Sequence, residues 1–198
     1  MRHFIDSYFQ SVVSSIQTIE SKTVSRLSEE IYRVWEQEGT IYIMGNGGSA
    51  STASHFACDL SKLTVSGFRK RLKVMALTDN MPIITAWAND THYENIFVEQ
   101  LIPFLGSKDL VIAISASGNS KNIVKALDYA NSLGAKTAAL SGFKGGQAGR
   151  ISYYPLITFS DNMQVIEDSH SLLCHGIALE VCSLLDQFQP QAAMERGV

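Results

Sequence analysis

The first part of the chain places apolar residues at helical spacing. Within residues 3–38, apolar side chains recur every three or four positions in two successive runs, which predicts two amphipathic helices. Gly39 then ends the second run, as glycine commonly does after a helix. Because neither helix has a sheet of its own to cover, we expect residues 1–38 to form an N-terminal helical arm that packs against other subunits as well as its own core.

From Thr40 onwards the pattern changes to short apolar segments separated by helical runs. Helices are predicted from Ser49, over 119–133 and over 162–188. Five apolar segments between them predict strands, the last being the weakest: residues 41–45, 73–77, 110–115, 136–140 and 153–159. This alternation predicts an α/β fold with a five-stranded parallel sheet flanked by helices, in one domain over residues 39–198.

Composition limits the kinds of protein that this sequence can encode. The chain has 198 residues, of which 45% are hydrophobic and 18% charged, as in globular and not disordered proteins. It has no run of 18 apolar residues and no apolar region near its start, so we expect neither a membrane-spanning helix nor a secretory signal. The net charge of −3 argues against nucleic-acid binding. Three cysteines without a CxxC spacing favour a reducing, cytoplasmic setting.

Two loops at predicted strand ends have the composition of anion sites. GNGGS follows the first strand and SASGNS the third, and a helix follows each. Sheets of this class bind ligands beyond the carboxyl ends of their strands, and helix N termini offer free N–H groups to anions. Neither loop has the spacing of a P-loop or of GxGxxG, so we predict no nucleotide cofactor. The alternative is that both are ordinary turns with Ser or Asn caps.

Two predicted helices carry the remaining candidate chemistry. His55 and Asp59 are four residues apart and share a helix face, although such pairs are also common as local surface contacts. The last helix holds several polar groups in an otherwise apolar sequence: Glu167, Asp168, His170, Cys174 and His175. This set is either a solvated face with one satisfied histidine or part of a site.

Spacing within the last helix leaves two ways to gather ligands. Glu167 and His170 are three residues apart, a spacing that can converge on a metal. Glu167 and His175 are eight residues apart, which is roughly 12 Å along a helix. These two would share one metal only with stretched side chains, a distorted helix or a neighbouring subunit.

The order of these motifs resembles that of the sugar isomerase (SIS) domain. GNGGS followed by HFA, then ISASGNS, then a last helix with E-x-x-H-x-x-x-x-H is most similar to the phosphoheptose isomerases. These enzymes interconvert sedoheptulose 7-phosphate and a manno-heptose 7-phosphate. The resemblance covers nearly the whole chain and implies a Rossmann-like SIS domain. The two loops do not by themselves separate enzymes from non-catalytic relatives.

The resemblance also implies roles for individual residues. The catalytic base falls on Asp59 and its acid/base partner on His175. Substrate contacts fall on Asp59 and Glu167 and on the loop residues Asn46, Gly47, Gly48, Ser49, Asn89, Asp90, Ser115, Ala116, Ser117 and Ser120. Some members hold zinc, through positions that match His55, Asp59, Glu167 and His175. Such relatives form homotetramers whose sites are completed by adjacent subunits.

Three positions depart from the family pattern. Asp59 stands where the family usually has Glu, Glu167 where it usually has Gln, and Ala116 where Thr or Ser is common. A carboxylate at 167 would favour a divalent metal. These departures bear on the substrate and on activity, not on the fold.

The resulting prediction is a cytoplasmic aldose–ketose isomerase that acts on a phosphorylated sugar through an enediol. The alternatives are a non-catalytic SIS protein that binds a replication-initiator protein, and a phosphosugar-sensing module. The presence of His55, a carboxylate at 59 and His175 favours the enzyme, because a binding protein has little physical need for this set.

Overall fold

A five-stranded sheet forms the centre of the computed structural model, which describes residues 3–65 and 70–187. In chain order, its strands are β1 (Thr40–Gly45), β2 (Lys73–Ala76), β3 (Leu110–Ser115), β4 (Lys136–Ser141) and β5 (Tyr154–Ile157). They lie in the order β2-β1-β3-β4-β5, and every neighbouring pair is parallel. The predicted parallel α/β fold is confirmed, although β2 and β5 end one and two residues earlier than expected.

Helices cover both faces of this sheet. They are α1 (Phe4–Gln17), α2 (Ser21–Glu36), α3 (Gly48–Leu63), α4 (Met81–Asp90), α5 (Val98–Leu101), α6 (Lys121–Ser132), α7 (Gly146–Ile151) and α8 (Met163–Asp186), with a 3-10 helix at Tyr93–Asn95. Along β1, Ile41 and Ile43 join the core under α2, α3 and α8, whereas Tyr42 and Met44 join the core under α5 and α6. This alternation follows from the two-residue period of a strand and explains why the central strands are apolar throughout.

The two N-terminal helices differ in how they pack. Leu27 and Ile31 of α2 are completely buried in the core between the sheet and α8, and burying a side chain of this size contributes roughly 1.5–3 kcal/mol. The structure thus places α2 over the sheet, contrary to the expectation that neither helix has a sheet to cover. In α1, Phe4 and Phe9 stay 85% and 59% exposed. The domain division at residue 38 stays a prediction.

The last helix is the longest element among the described residues. Asn162 caps its N terminus, where the side-chain oxygen accepts hydrogen bonds from the backbone N–H groups of Gln164 and Val165 at 3.0 and 3.3 Å. The helix ends at Asp186, and position 188 of the predicted range lies outside the described residues. In the portions of the chain that the structure describes, no helix is long and apolar enough to cross a membrane.

The strand order brings the two candidate loops together. The helix after β1 covers one face of the sheet, and the helix after β3 covers the other. The connections therefore diverge between these adjacent strands, and a crevice at their carboxyl ends is where open α/β sheets bind ligands. Gly45 pairs with Ile114 in the register, so the glycine loop and the serine loop begin side by side.

Candidate active site

The glycine loop leads directly from β1 into α3. Gly47 has a φ of +54°, which glycine adopts more easily than any other residue, and α3 begins at Gly48. Ser49 is buried in the first turn of the helix. The positive end of α3 therefore lies next to the glycine loop, and an anion site there stays a prediction.

The serine loop after β3 is held by the segment that begins α7. Gly118 has a φ of +62°, and a Cβ there would lie 2.2 Å from the carbonyl oxygen of Gly145. Ala148 N–H donates to the Gly118 carbonyl at 2.8 Å, and Gln147 N–H donates to Asn119 Oδ1 at 3.0 Å. These contacts fix the loop backbone independently of any ligand.

Its hydroxyls lie at the start of α6. Ser115 is buried at the end of β3, and Ser117 Oγ accepts a hydrogen bond from Asn119 N–H at 3.2 Å. Ser120 occupies the N-cap position of α6 without using its side chain as a cap. Its hydroxyl and the unbonded N–H groups at the start of α6 are therefore the candidates for the predicted phosphate site. Ala116 is buried and contributes no side-chain donor.

Asp59 lies between two imidazoles where α3 packs against α8. Its Oδ1 is 3.7 Å from His55 Nε2, and its Oδ2 is 3.6 Å from His175 Nε2. The His55 and His175 rings approach edge to face, with centroids 5.0 Å apart. The side chain of Asp59 is only 16% exposed, and its Oδ2 is buried with no hydrogen-bond partner in the structure.

This arrangement suits a metal ion. One ligand atom from each of His55, Asp59 and His175 lies within 4.8 Å of the others. Two imidazole nitrogens and a carboxylate oxygen are ligands that zinc prefers, and catalytic zinc sites typically have three protein ligands and one open position. The buried oxygen of Asp59 without a hydrogen-bond partner supports this assignment, because such an atom otherwise raises the free energy of the folded state.

Glu167 does not join these three residues within one chain. Its carboxylate lies against the start of α3, where a Cβ added to Gly48 would be 3.1 Å from Glu167 Oε1. α8 is continuous from Met163 to Asp186, so two helical turns separate Glu167 from His175. The structure gathers three of the four predicted ligands, and the complete set stays a prediction. Glu167 instead places a negative charge beside the positive end of α3.

His170 and Cys174 lie on the opposite, inner side of α8. Both are almost fully buried, at 1% and 2% exposure. Burial lowers the pKa of His170 to about 4; the nearby backbone of Ser141 opposes this shift, yet neither ring nitrogen makes a hydrogen bond of regular geometry. Burial, and secondarily the charge of Asp59, raises the pKa of the Cys174 thiol. The possible metal pair of Glu167 and His170 is therefore not formed.

The remaining predicted contacts, Asn89 and Asp90, stay predictions. Asn89 and Asp90 form the exposed end of α4, where Asn89 Nδ2 donates to Asp90 Oδ1 at 2.9 Å. The nearby Tyr93 hydroxyl donates to Asn46 Oδ1 at 3.0 Å. Asn122, which also binds Asn46, is buried. Sequence reasoning missed both contacts with Asn46, although a polar residue four positions before Ala126 on the buried face of α6 was a usable signal for Asn122.

A larger recess lies away from these groups. It has a volume of about 890 Å³, and its lining includes Cys58 of α3, Asp79 between β2 and α4, and Gln100 of α5. It contains neither candidate loop nor the His55–Asp59–His175 cluster. The two candidate loops meet at the carboxyl ends of β1 and β3, and α3 runs from the glycine loop to His55 and Asp59. We therefore take the crevice and this face of α3 as the candidate active site.

Comparison with known proteins identifies the family of this chain. The sequence model of the SIS domain matches residues 4–142. The chain is 40% identical over 166 residues to phosphoheptose isomerase from Helicobacter pylori, covering 82% of each protein. It is 35% identical over 193 residues to phosphoheptose isomerase from Trichlorobacter lovleyi, covering 94% of each. A solved phosphoheptose isomerase from Francisella tularensis has a TM-score of 0.80 at 27% identity, over 91% of this chain and 95% of that one. The chain therefore belongs to the SIS domain family and, within it, to the phosphoheptose isomerase branch.

Proposed function

We propose that this protein is an aldose–ketose isomerase that interconverts sedoheptulose 7-phosphate and D-glycero-D-manno-heptose 7-phosphate. The observation that carries the proposal is the position of Asp59 between His55 and His175, with ligand atoms that all lie within 4.8 Å of one another. The two loops predicted to bind anions begin at neighbouring positions of the same sheet edge. The loops would hold the phosphate, and the cluster around Asp59 would transfer protons. A phosphosugar isomerase needs both functions.

Proton transfer in this reaction requires one group at carbon and one at oxygen. The Asp59 carboxylate removes a proton from C1 of the ketose, which gives an enediol, and returns it to C2. His175 moves a proton from the C1 hydroxyl to the former C2 carbonyl oxygen, so that the aldose forms without net change in protons. His175 Nε2 is 3.6 Å from Asp59 Oδ2, and its half-exposed side chain can reach a bound sugar.

The loops would position the substrate for these transfers. Ser115, Ser117 and Ser120 would hold the phosphate at the start of α6, while Asn46, Gly47, Gly48 and Ser49 would face the sugar. Asn89 and Asp90 at the end of α4, and Glu167 beside Gly48, would complete the predicted contacts. The bracing of the serine loop by α7 favours a phosphate position that is fixed before the substrate arrives.

We further propose that His55, Asp59 and His175 hold zinc, with Glu167 as a fourth ligand after a side-chain or subunit rearrangement. A divalent cation here would stabilise the negative charge that develops on the enediolate oxygens. Carboxylate and imidazole ligands also suit nickel or manganese.

An apolar recess beside the site supports the proposal of a homotetramer. Phe9, Val12 and Val13 of α1 line it together with Leu172 and His175 of α8. Phe9, Val13 and Leu172 are more than half exposed, and a second copy would cover them next to a catalytic residue. We expect sedimentation equilibrium at micromolar concentration to give a tetramer, and a stable monomer would contradict the proposal.

We also propose a cytoplasmic setting. All three cysteines of the sequence are free in the structure, which is typical of a reducing compartment. The alternative of a non-catalytic SIS protein that binds a replication initiator, or that senses a phosphosugar, is less favoured. Neither of these roles requires a carboxylate between two imidazoles.

The decisive experiment is an isomerase assay with sedoheptulose 7-phosphate, with and without added zinc. We expect turnover, with the aldose identified by NMR and with incorporation of solvent deuterium at the carbon that receives the proton. Absence of turnover under both conditions, together with retained phosphosugar binding, would favour the sensing alternative over the enzyme.

A further inference from the structure

An amide pair connects the glycine loop to the helix that follows the serine loop. Asn46 Nδ2 donates to Asn122 Oδ1 at 3.0 Å, and Asn122 Nδ2 donates in return to Asn46 Oδ1 at 2.8 Å. The Tyr93 hydroxyl donates to the same Asn46 oxygen at 3.0 Å. Asn122 is only 2% exposed, so its amide sits where a core residue would otherwise be expected.

A backbone group fixes the orientation of both amides. The N–H of Ile123, which can only donate, lies 3.0 Å from Asn122 Oδ1, so the atom at that position must be the oxygen. The Asn122 nitrogen consequently faces Asn46 Oδ1, and the Asn46 nitrogen faces the Asn122 oxygen. The reversed arrangement would place the Asn122 NH₂ against the Ile123 N–H, which leaves both donors without an acceptor.

The hydrogen-bond capacity of Asn46 then determines what it offers to a ligand. Its Oδ1 accepts from Asn122 and from Tyr93, which uses both lone pairs of an amide oxygen. Its Nδ2 carries two protons, and only one is given to Asn122. Asn46 therefore has one N–H left for a ligand and no remaining acceptor.

We propose that Asn122 and Tyr93 are positioning residues that present Asn46 to the phosphosugar as a hydrogen-bond donor. Asn46, Tyr93 and Asn122 line one recess together with Ser120 of the serine loop, so a ligand on that loop lies within reach of the free N–H. Its partner is an oxygen of the ligand, in the phosphate or in the sugar. This inference rests on the proposed function, because it assigns a role within the same site.

A double-mutant cycle tests whether Asn122 acts through Asn46. We expect Asn46→Ala and Asn122→Ala each to raise KM for sedoheptulose 7-phosphate about tenfold, as loss of one hydrogen bond predicts, with a smaller change in kcat. The double variant should be no worse than either single variant, because both changes remove the same oriented N–H. A roughly hundredfold increase in the double variant, which independent effects would give, would overturn the positioning role.

Tyr93→Phe provides a milder variant that keeps the ring. Tyr93 is 57% exposed, so loss of its hydroxyl should leave thermal unfolding unchanged even if Asn122→Ala folds poorly. We expect KM to rise about threefold, from the loss of one of two hydrogen bonds to the Asn46 oxygen. Tyr153→Phe is the matched control, because Tyr153 lies at the amino end of the sheet with its ring against Lys136. Equal KM values for these two variants and wild type would contradict the proposal.

Two further measurements separate this inference from the isomerase assignment. If wild type turns over the sugar but the variants match it, the positioning role falls and the enzyme stands. If wild type shows no turnover, calorimetric binding of sedoheptulose 7-phosphate replaces KM, and unchanged affinity in the variants, or no binding by wild type, overturns the inference. Inorganic phosphate as a competitive inhibitor identifies the ligand oxygen: a Ki that rises in Asn122→Ala assigns the phosphate, and an unchanged Ki with raised KM assigns the sugar.

Discussion

The two faces of α8 each carry a histidine, one exposed to solvent and one buried. His175 lies on the face that meets α3, is half exposed and approaches the Asp59 carboxylate at 3.6 Å. His170, five positions earlier, is 1% exposed, and burial lowers its pKa to about 4. The first is accessible to a ligand, whereas burial keeps the second neutral inside the protein. Histidine supplies chemistry only where water or substrate can reach it.

Replacement of His175 should have the largest effect on activity. We expect His175→Ala to lower kcat for the phosphosugar by about 10²–10⁴-fold, as loss of a general acid/base group does. The free energy of unfolding should change little, because the side chain is 50% exposed. Activity and thermal unfolding are measured on the same preparations, with His3→Ala at the start of α1 as a control. Retained kcat in His175→Ala would remove the distinction between the two faces.

Removal of the serine-loop hydroxyls tests a part of the site that lies off α8. We expect Ser117→Ala combined with Ser120→Ala to raise KM about 100-fold, by loss of charge-assisted hydrogen bonds to phosphate. kcat should fall much less than in His175→Ala. Ser132→Ala, at the other end of α6 with its hydroxyl on the Tyr129 carbonyl, is the matched control. Unchanged phosphosugar affinity would show that the phosphate binds elsewhere.

The sequence predicted the sheet because each central strand is apolar on both sides, as Ile43 and Met44 in opposite cores illustrate. It predicted the loops because Gly47 and Gly118 stand where the backbone takes positive φ. It could not separate His170 from His175, because five residues correspond to 500° of helical rotation and which face meets α3 depends on tertiary packing. For the same reason, it gave no sign that Tyr93 contacts Asn46.

Metal retention distinguishes the cluster of His55, Asp59 and His175 from Glu167, which lies outside it. We expect His55→Ala to lose bound zinc after dialysis. Replacing a residue that only hydrogen-bonds to a metal ligand weakens metal affinity by about 10–100-fold, and removing a ligand itself should weaken it more. Glu167→Gln should lose less, since Glu167 lies against Gly48 and outside the three-residue cluster. Zinc content per chain is the measurement. Equal losses in both variants would show that Glu167 is a full ligand in the assembled protein.

His170 should make the free energy of unfolding depend on pH. His170 has a lowered pKa of about 4 in the folded protein, against about 6.5 when unfolded. Below pH 6.5, His170 therefore binds a proton in the unfolded chain but not in the folded protein. The free energy of unfolding should fall towards pH 4 by at most about 1.4 kcal/mol per pH unit from this group. Above pH 6.5 the contribution of His170 should not change with pH.

Comparison with His170→Leu isolates this contribution from that of the carboxylates. Leucine cannot titrate and removes two ring nitrogens that lack hydrogen-bond partners, so the variant should show a shallower loss of stability between pH 6.5 and 4. Urea unfolding at several pH values measures the difference in slope. Parallel curves for wild type and variant would mean that His170 takes up its proton as readily in the folded protein as in the unfolded chain, contrary to its lowered pKa.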